Sequence, residues 1–192
     1  PDNRAFDWGM GDEAAKQRAK ITRGFAATAT VVPGVWLDVD YAGDQHAKGD
    51  LPPDVDAARS LVSSMPISPT LTVATGGGLH AYWLFHEPFE IHNDDDRAEI
   101  AAIVYGWNQL LREIAARSGW GVDSTFDLAR VLRPVGTVSA KYGRLVSAPQ
   151  ELGPRCNHID FDNYAEAPKA RPSIEVRAAI ESRGAIDAHA EP

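Results

Sequence analysis

The sequence predicts an α+β fold in which helices pack on a mainly antiparallel sheet. Three observations predict it: an apolar, β-branched run over 31–39, two strand-like stretches joined by consecutive glycines over 71–85, and an amphipathic helix pattern over 94–117. Strands and helices do not alternate as regular βαβ units, which argues against a parallel sheet. The chain of 192 residues is long enough for one core of good size with a small appendage.

The first half of the chain is expected to lead from a helix into the sheet. Residues 12–20 have the mixed charge of a helix exposed on most sides. Residues 25–32 and 35–40 are expected to be two separate strands, because Pro33-Gly34 between them is a turn signal.

A second helix and a hairpin are expected next. Asp54 is suited to cap a helix that runs to about Ser64. Residues 71–74 and 79–85 have strand character, and the glycines between them predict a β-hairpin.

The clearest helix covers 94–117. Asp94, Asp95 and Asp96 at its start interact favourably with the positive end of the helix dipole. Apolar residues recur at helical spacing and predict a stripe that faces the core. These residues are Ile100, Ile103, Val104, Trp107, Leu110, Leu111 and Ile114.

The last third of the chain is expected to contain short elements and a linker. These are one helical turn over 127–132, a short strand over 142–147, a loop over 148–172 and a short helix over 173–183. The sequence thus predicts one domain over 1–150, with 151–192 as a linker and short C-terminal helix.

Charge is distributed unevenly along an acidic chain. The formal net charge of −8 argues against a protein that coats nucleic acid. Residues 38–56 and 87–99 are rich in acid, whereas 128–145 contain no acid at all. The basic residues of that last stretch are Arg130, Arg133, Lys141 and Arg144. Local binding of a polyanion is therefore permitted, although solvated helix faces would give the same charge count.

The compartment is inferred from cysteine content and hydropathy. The lone Cys156 excludes an internal disulfide and a cysteine-rich zinc site. No apolar run has the length of a membrane span, and the first residues do not resemble a signal peptide. We therefore expect a cytoplasmic protein with no membrane partner.

An acidic pair ends the first apolar run. Asp38 and Asp40 are two residues apart, so a strand would project both side chains from one face, about 6–7 Å apart at the backbone. Two carboxylates beside an apolar strand repel each other, and a divalent cation such as Mg²⁺ or Mn²⁺ relieves that repulsion. The alternative is a strand that ends in a solvated acidic turn.

A glycine-rich turn lies between the predicted hairpin strands. Thr75-Gly76-Gly77-Gly78-Leu79-His80 would allow several backbone N–H groups to approach a phosphate closely. His80 would stand beside those amides, where it can donate to a phosphate oxygen or take part in proton transfer. The alternative is a flexible turn followed by a half-buried histidine.

A third motif combines one acid with several cations. Arg130 and Arg133 are three residues apart and would share a face of a helical turn, with Asp127 one step earlier. The segment could offer a carboxylate to a metal and two guanidiniums to phosphates, and Lys141 adds a further charge. The alternative is a surface salt bridge between Asp127 and Arg130, which stabilises little.

The order of these three motifs resembles the catalytic core of archaeo-eukaryotic-type primases, and most closely the primase-polymerase domains of phage and plasmid replication proteins. The resemblance covers roughly 24–147 and rests on 34–40, 75–83 and 127–137. It implies an RRM-like antiparallel catalytic sheet with a smaller α/β lobe, and template-directed nucleotidyl transfer by the domain over 1–150.

The resemblance also implies roles for individual residues. Asp38, Asp40 and Asp127 would bind Mg²⁺ or Mn²⁺, with Asp123 as the alternative third acid, since both Asp127 and Asp123 follow a hydrophobic residue. The catalytic set would comprise Asp38, Asp40, Asp127 and His80. The nucleotide-binding set would comprise Thr75, Gly77, Gly78, His80, Arg130, Arg133 and Lys141.

Partners follow from the same resemblance. They are a single-stranded DNA template, ribo- or deoxynucleoside triphosphates and a helicase module joined after 151–192, with the host-cell cytoplasm as location for a phage-encoded protein. One departure is Ser139, which stands where relatives commonly have Asn, so the polar contact expected from that loop is in doubt.

Two other functions compete with this one. A rolling-circle initiator endonuclease needs paired histidines and a helical tyrosine nucleophile, and only Tyr105 lies on the long helix. A non-catalytic RRM-type nucleic-acid-binding module would need exposed aromatic residues where the aspartates stand.

Overall fold

The computed structural model describes residues 26–43 and 49–166. The helices expected over 12–20 and 173–183 lie outside the described residues. The elements are β1 (Val31–Asp40), α1 (Val55–Ser63), β2 (Leu71–Ala74), β3 (Gly78–Glu90), α2 (Asp94–Arg117), β4 (Val138–Ser139) and β5 (Arg144–Leu145). Short 3-10 helices cover Ala26–Thr28 and His158–Tyr164.

The main sheet has three antiparallel strands in the order β1-β3-β2. Along the chain its elements follow as β-α-β-β-α, with β3 in the centre. Strands β4 and β5 form a second, two-stranded antiparallel sheet. The α+β class and the antiparallel arrangement predicted from the sequence are confirmed. None of the described helices is long and apolar enough to cross a membrane.

Strand β1 is continuous where the sequence predicted two strands and a turn. The register against β3 shifts between Val32 and Gly34, so Pro33 sits in a bulge. A bulge tolerates proline, which has no N–H to donate to the ladder. A Cβ at Gly34 would overlap the Trp83 carbonyl, so the strands can approach this closely only with glycine there. The turn prediction at Pro33-Gly34 was wrong because these residues bend a strand without ending it.

Both long helices begin at a side-chain cap. Asp54 Oδ1 accepts a hydrogen bond of 2.8 Å from Ala57 N at the start of α1, as the sequence predicted. Asn93 Oδ1 accepts one of 2.9 Å from Asp96 N at the start of α2. Each cap satisfies a backbone donor that the first helical turn leaves without a partner.

The core lies between one face of the main sheet and the helices. Strands β1 and β3 contribute alternate residues to it, including Leu37, Ala81 and Trp83, all 0% exposed. Trp107 of α2 meets Trp83 edge-on, with 5.2 Å between ring centroids. The predicted apolar stripe of α2 therefore does face the core, which leaves the other face of the sheet for a site.

Residues 151–166, expected to be linker, are part of the packed unit. Cys156 N donates to Leu84 O at 3.0 Å and His86 N donates to Cys156 O at 2.8 Å, which adds a short pairing beside β3. Phe161 is fully buried, with its ring 4.8 Å from that of Trp107. The packed structure therefore continues beyond residue 150, because an apolar ring in a Pro- and Asn-rich stretch completes the core.

We expect Phe161→Ala to lower the free energy of unfolding by about 3–5 kcal/mol, since it removes a buried ring and leaves a cavity. Ile159→Ala, on the same short helix but with the side chain 60% exposed, is the matched control and should cost less than about 0.5 kcal/mol. Chemical denaturation of both variants measures the difference. Equal stability of the two would show that the segment does not support the core.

Candidate active site

The face of the main sheet opposite the core carries the acidic pair and the histidine. The register of β1 and β3 places Asp38 opposite His80 and Asp40 opposite Gly78. Residues directly opposite in an antiparallel pair share a face. His80 is buried, and its Nε2 lies 3.7 Å from Asp38 Oδ1. The sequence-predicted Asp38, Asp40 and His80 therefore lie together.

The two arginines reach this cluster from the segment that follows α2. Arg130 Nη2 lies 3.6 Å from Asp38 Oδ2. Arg133 Nη1 donates to Thr75 O at 3.4 Å. No helix forms over 127–132; a single hydrogen-bonded turn, from Arg130 N to Asp127 O at 2.9 Å, stands in its place. Arg130 and Arg133 thus reach the site because their segment lies against the sheet. They do not share a face of a helix, contrary to the sequence prediction.

A buried amide on α2 holds that segment in place. Asn108 Nδ2 donates to Trp36 O at 3.3 Å, and Asn108 Oδ1 accepts from Thr125 N and Thr125 Oγ1 at 3.1 and 3.0 Å. Trp36 Nε1 also donates to Thr125 O at 2.8 Å. Sequence reasoning missed Asn108. The sequence did carry a signal, because Asn108 is a single amide inside the apolar stripe of α2. Since a buried amide is costly unless it is hydrogen-bonded, such a residue indicates a specific polar contact.

The two candidates for the third acid occupy different environments. Asp127 is exposed, and its Oδ1 accepts a hydrogen bond of 2.9 Å from Ala129 N, which caps its own turn. Asp123 is the acid whose negative charge helps to raise the pKa of Asp38. The structure thus places Asp123 near enough for its charge to act on Asp38. Within the described residues, no three His, Cys, Asp or Glu side chains are grouped closely enough to hold a metal ion.

The donor chemistry nevertheless fits a hard divalent cation. Burial is the main cause that raises the pKa of the Asp38 carboxyl, and the charges of Arg130 and Arg133 oppose the rise. A carboxylate that pays this desolvation penalty gains from any cation placed beside it. Asp38 and Asp40 offer oxygen donors from one strand face, which are the ligands that Mg²⁺ and Mn²⁺ prefer.

His80 is held as a neutral imidazole. Burial, helped by the nearby positive charges of Arg133 and Arg130, lowers its pKa to about 4, while Asp40 opposes the shift. Tyr82 Oη lies 3.3 Å from His80 Nδ1, and burial with the charge of Asp38 raises the pKa of Tyr82 to about 12. A protonated phenol that donates to Nδ1 leaves the imidazole proton on Nε2, on the side of Asp38.

The glycine-rich turn closes one end of the site. Gly76 has a φ of 98°, which favours glycine, and its carbonyl accepts from Arg144 Nη1 at 3.2 Å. A Cβ at Gly77 would overlap the Tyr142 ring. In the described part of the chain, the N–H groups of Gly76 and Gly77 donate to no backbone carbonyl. The turn therefore keeps amide donors for another acceptor, with Tyr142 packed on one side.

The other residues that the sequence assigned to nucleotide binding here, Thr75, Gly78 and Lys141, make contacts within the protein. Thr75 is buried, and its N–H closes the turn by donating to Gly78 O at 2.9 Å. A Cβ at Gly78 would stand 2.7 Å from Asp40 Oδ1, so glycine makes room for that carboxylate. Lys141 Nζ lies over the Tyr142 ring, 5.0 Å from its centroid. Sequence reasoning missed Tyr142 at this end of the site, and it gave Arg144 no role beyond the basic charge of its segment.

A cavity of about 470 Å³ lies at the end of α2. Its polar lining includes Asp50, Arg112, Ser124 and the candidate metal ligand Asp123, and Trp120 adds an aromatic wall. Its volume is in the range of small-molecule sites in proteins, about 300–1,000 Å³. Asp123, whose charge acts on Asp38, therefore forms part of the wall of this cavity.

Comparisons with known proteins give one structural likeness. No protein-family model matches the chain, and no curated protein matches it. Among solved structures, the chain is similar to the archaeo-eukaryotic primase domain of the cyanophage S-2L primase-polymerase, with a TM-score of 0.49 and 20% identity over 80% of this chain and 77% of that one.

Loss of the Arg133 charge should raise the pKa of His80. NMR titration of the imidazole in the unchanged protein should give a midpoint near 4. Arg133→Gln should move the midpoint upward, although it should stay below the ordinary 6.5 because burial is the larger cause. Arg133→Lys keeps the charge and is the matched control.

The same shift predicts how stability depends on pH. Between pH 6.5 and about 4 the unfolded chain binds a proton at His80 that the folded protein does not, so the free energy of unfolding should fall as the pH falls through this window. If the NMR titration midpoint of His80 were the same in Arg133→Gln and in the unchanged protein, the charge of Arg133 would not be a cause of the low pKa of His80.

Proposed function

We propose that this protein is a metal-dependent nucleotidyltransferase of primase-polymerase type, which adds nucleotides to a nucleic acid strand on a single-stranded DNA template. The observation that carries the proposal is the meeting of Asp38, Asp40 and His80 on one sheet face with Arg130 beside Asp38. Phosphoryl transfer needs carboxylates that bind a metal ion and arginines that bind phosphate groups. A neutral hydrogen-bond donor such as His80 can bind a phosphate oxygen as well. The order of these motifs in the sequence, which resembles that family, supports the same function.

The reaction joins a strand to a nucleotide. The 3′ oxygen of the strand forms a bond to the α-phosphorus of a nucleoside triphosphate, the bond to pyrophosphate breaks, and the hydroxyl proton passes to solvent. Catalysis of such a step depends on positioning and on stabilising negative charge. The residues of this site serve those two needs.

Cationic and neutral donors would bind the triphosphate. Arg130 and Arg133 present guanidiniums that match phosphate oxygens in bidentate geometry. His80, with its proton on Nε2, would donate a hydrogen bond to a phosphate oxygen without adding charge. The amides of Gly76 and Gly77, which donate to no backbone carbonyl among the described residues, would add donors at the closed end of the site.

The acids would hold the metal. Asp38 and Asp40 would be ligands of Mg²⁺ or Mn²⁺, with Asp123 as the third acid because its charge acts on Asp38. A bound divalent cation supplies activation of the 3′ hydroxyl and neutralisation of phosphate charge. In the absence of nucleotide, Arg130 compensates the half-buried Asp38 carboxylate in part.

Two competing functions are less well supported by the geometry. Tyr105, the tyrosine that a helical nucleophile would require, is 6% exposed and packs against Phe126, with ring centroids 4.8 Å apart. A non-catalytic RRM-type module would present aromatic rings on the central strands. Trp83 instead faces the core, and Trp36 is covered by the segment around Thr125.

The resemblance extends the proposal to the wider context. It implies a replication enzyme of phage or plasmid type in a host cytoplasm, acting with a joined helicase module. The segment after residue 166, from which such a module would continue, lies outside the described residues.

The double substitution Asp38→Asn with Asp40→Asn should lower template-directed incorporation by about a thousandfold or more, because metal-site charge stabilisation amounts to several kcal/mol. Asp56→Asn on α1, whose side chain is 85% exposed, is the matched control and should keep full activity. A primer-free synthesis assay with both nucleotide types, in Mg²⁺ and in Mn²⁺, measures the loss. Continued synthesis by a folded double variant would rule out the proposal.

The identity of the third acid gives a separate prediction. Asp123→Asn should lower incorporation by at least about tenfold and raise the metal concentration needed for half-maximal rate. Asp127→Asn should change either quantity by less than about twofold, because asparagine caps a turn as well as aspartate does. The reverse ranking of the two variants would assign the third ligand to Asp127.

A further inference from the structure

The cavity at the end of α2 combines an aromatic wall with groups of opposite charge. Trp120 is half-buried, and it packs against the core as well as lining the cavity. Gly121 N donates to Asp50 O at 2.6 Å, and a Cβ at Gly121 would overlap the Asp50 carboxylate, so glycine makes room for this acid. Arg112 Nη1 donates at 2.8 Å to Gln109 Oε1, a neutral acceptor that leaves the positive charge uncompensated. The lining thus offers an aromatic surface, an acid and a cation to one ligand.

A nucleotide matches this set of groups. Its base can stack on an aromatic ring such as Trp120, and its phosphate can pair with a guanidinium such as Arg112. The carboxylate of Asp50 can accept hydrogen bonds from sugar hydroxyls or from the amino group of a base. The cavity volume of about 470 Å³ lies in the range of sites that bind small molecules.

The cavity lies on the β1 side of the candidate active site. Thr125, which follows the lining residue Ser124, accepts a hydrogen bond of 2.8 Å at its carbonyl from Trp36 Nε1 of β1. Strand β1 is an edge strand of the main sheet. Asp123 belongs to the lining as well, and its charge acts on Asp38 of β1. A ligand in the cavity would therefore be next to the acids that would hold the metal.

The groups suited to the phosphates of a triphosphate reach the other edge of the sheet. Arg133 Nη1 donates to Thr75 O, and Arg144 Nη1 donates to Gly76 O. Thr75 and Gly76 follow β2, which is the opposite edge strand. The attacking and leaving oxygens of phosphoryl transfer are roughly in line. A triphosphate whose leaving group is bound near the glycine turn would therefore be attacked from the side of the cavity.

We propose that this cavity binds the nucleotide that supplies the attacking 3′ hydroxyl, with its base on Trp120 and its phosphate on Arg112. The inference rests on the proposed function and deepens it, because it gives the second substrate of that reaction its own site. A cavity of this size holds one nucleotide, so the occupant is either the last nucleotide of a strand or a free nucleotide that starts one.

Binding of adenosine and guanosine 5′-monophosphates, measured by calorimetry without metal, tests the cavity apart from catalysis. Arg112→Gln should weaken binding by about fivefold or more, since it removes a charge-assisted hydrogen bond to the phosphate. Ala116→Leu, at an exposed helical position in the lining, should also weaken binding because the larger side chain fills the space. Arg117→Gln, on the same helix but outside the lining, is the matched control and should bind as the unchanged protein does.

Steady-state extension of a short primer separates the two substrates of the reaction. Arg112→Gln and Ala116→Leu should raise KM for the primer by about fivefold or more, and should change KM for the nucleoside triphosphate by less than about twofold. Arg117→Gln should change neither constant. Equal denaturation midpoints show that the variants are folded before their constants are compared.

Two results would overturn the inference. Unchanged monophosphate affinity and an unchanged KM for the primer in both cavity variants would place the attacking nucleotide elsewhere. A rise in KM for the triphosphate, with KM for the primer unchanged, would assign the cavity to the incoming nucleotide.

The extension assay also separates failure of this inference from failure of the proposed function. Incorporation with unchanged KM values in both cavity variants would reject the cavity and retain the enzyme. Absence of template-directed incorporation by the unchanged protein, in Mg²⁺ and in Mn²⁺, would reject the enzyme and with it the role of the cavity.

Discussion

The antiparallel pairing of β1 with β3 is the constraint on which the candidate site depends. Its register sets Asp38 opposite His80 and, on the other face, Leu37 opposite Ala81. Because side chains alternate along a strand, a slip of one residue would bury the carboxylate in the core and expose the leucine. Leu37 is fully buried, so the apolar face specifies the register and thereby places the polar face.

The rest of the site depends on a long-range contact. The segment that carries Asp123 and Arg130 has no helix or strand of its own, and Asn108 joins it through Thr125 to β1. Four groups, one of them Val104 O, satisfy this buried amide. The position of the cations relative to Asp38 thus rests on an amide in the middle of an apolar stripe, where any unsatisfied polar group would be costly.

Helices and strands with a clear local pattern were predicted correctly, whereas segments whose composition fits two kinds of structure were not. Apolar residues at helical spacing predicted α2, and a capping residue predicted the start of α1 at Asp54. Strand-like alternation on either side of the glycines predicted the hairpin of β2 and β3. Pro33 was misread as part of a turn, because proline also fits a bulge and the sequence does not show which neighbour the strand will have. Residues around Phe161 were misread as linker, because their composition is that of a loop and only the partner ring reveals the burial.

The sequence by itself determined the class of fold and the shared face of Asp38 and Asp40, and it predicted acid, histidine and arginine residues as candidates for a site. These follow from periods of two and 3.6 residues and from side-chain chemistry, which are local properties. Only the tertiary structure decided that Arg130 compensates Asp38, that Asp123 lies near enough for its charge to act on that carboxyl, and that burial keeps His80 neutral. Those outcomes depend on distance and desolvation between residues far apart in the chain, and neither quantity is encoded in local spacing.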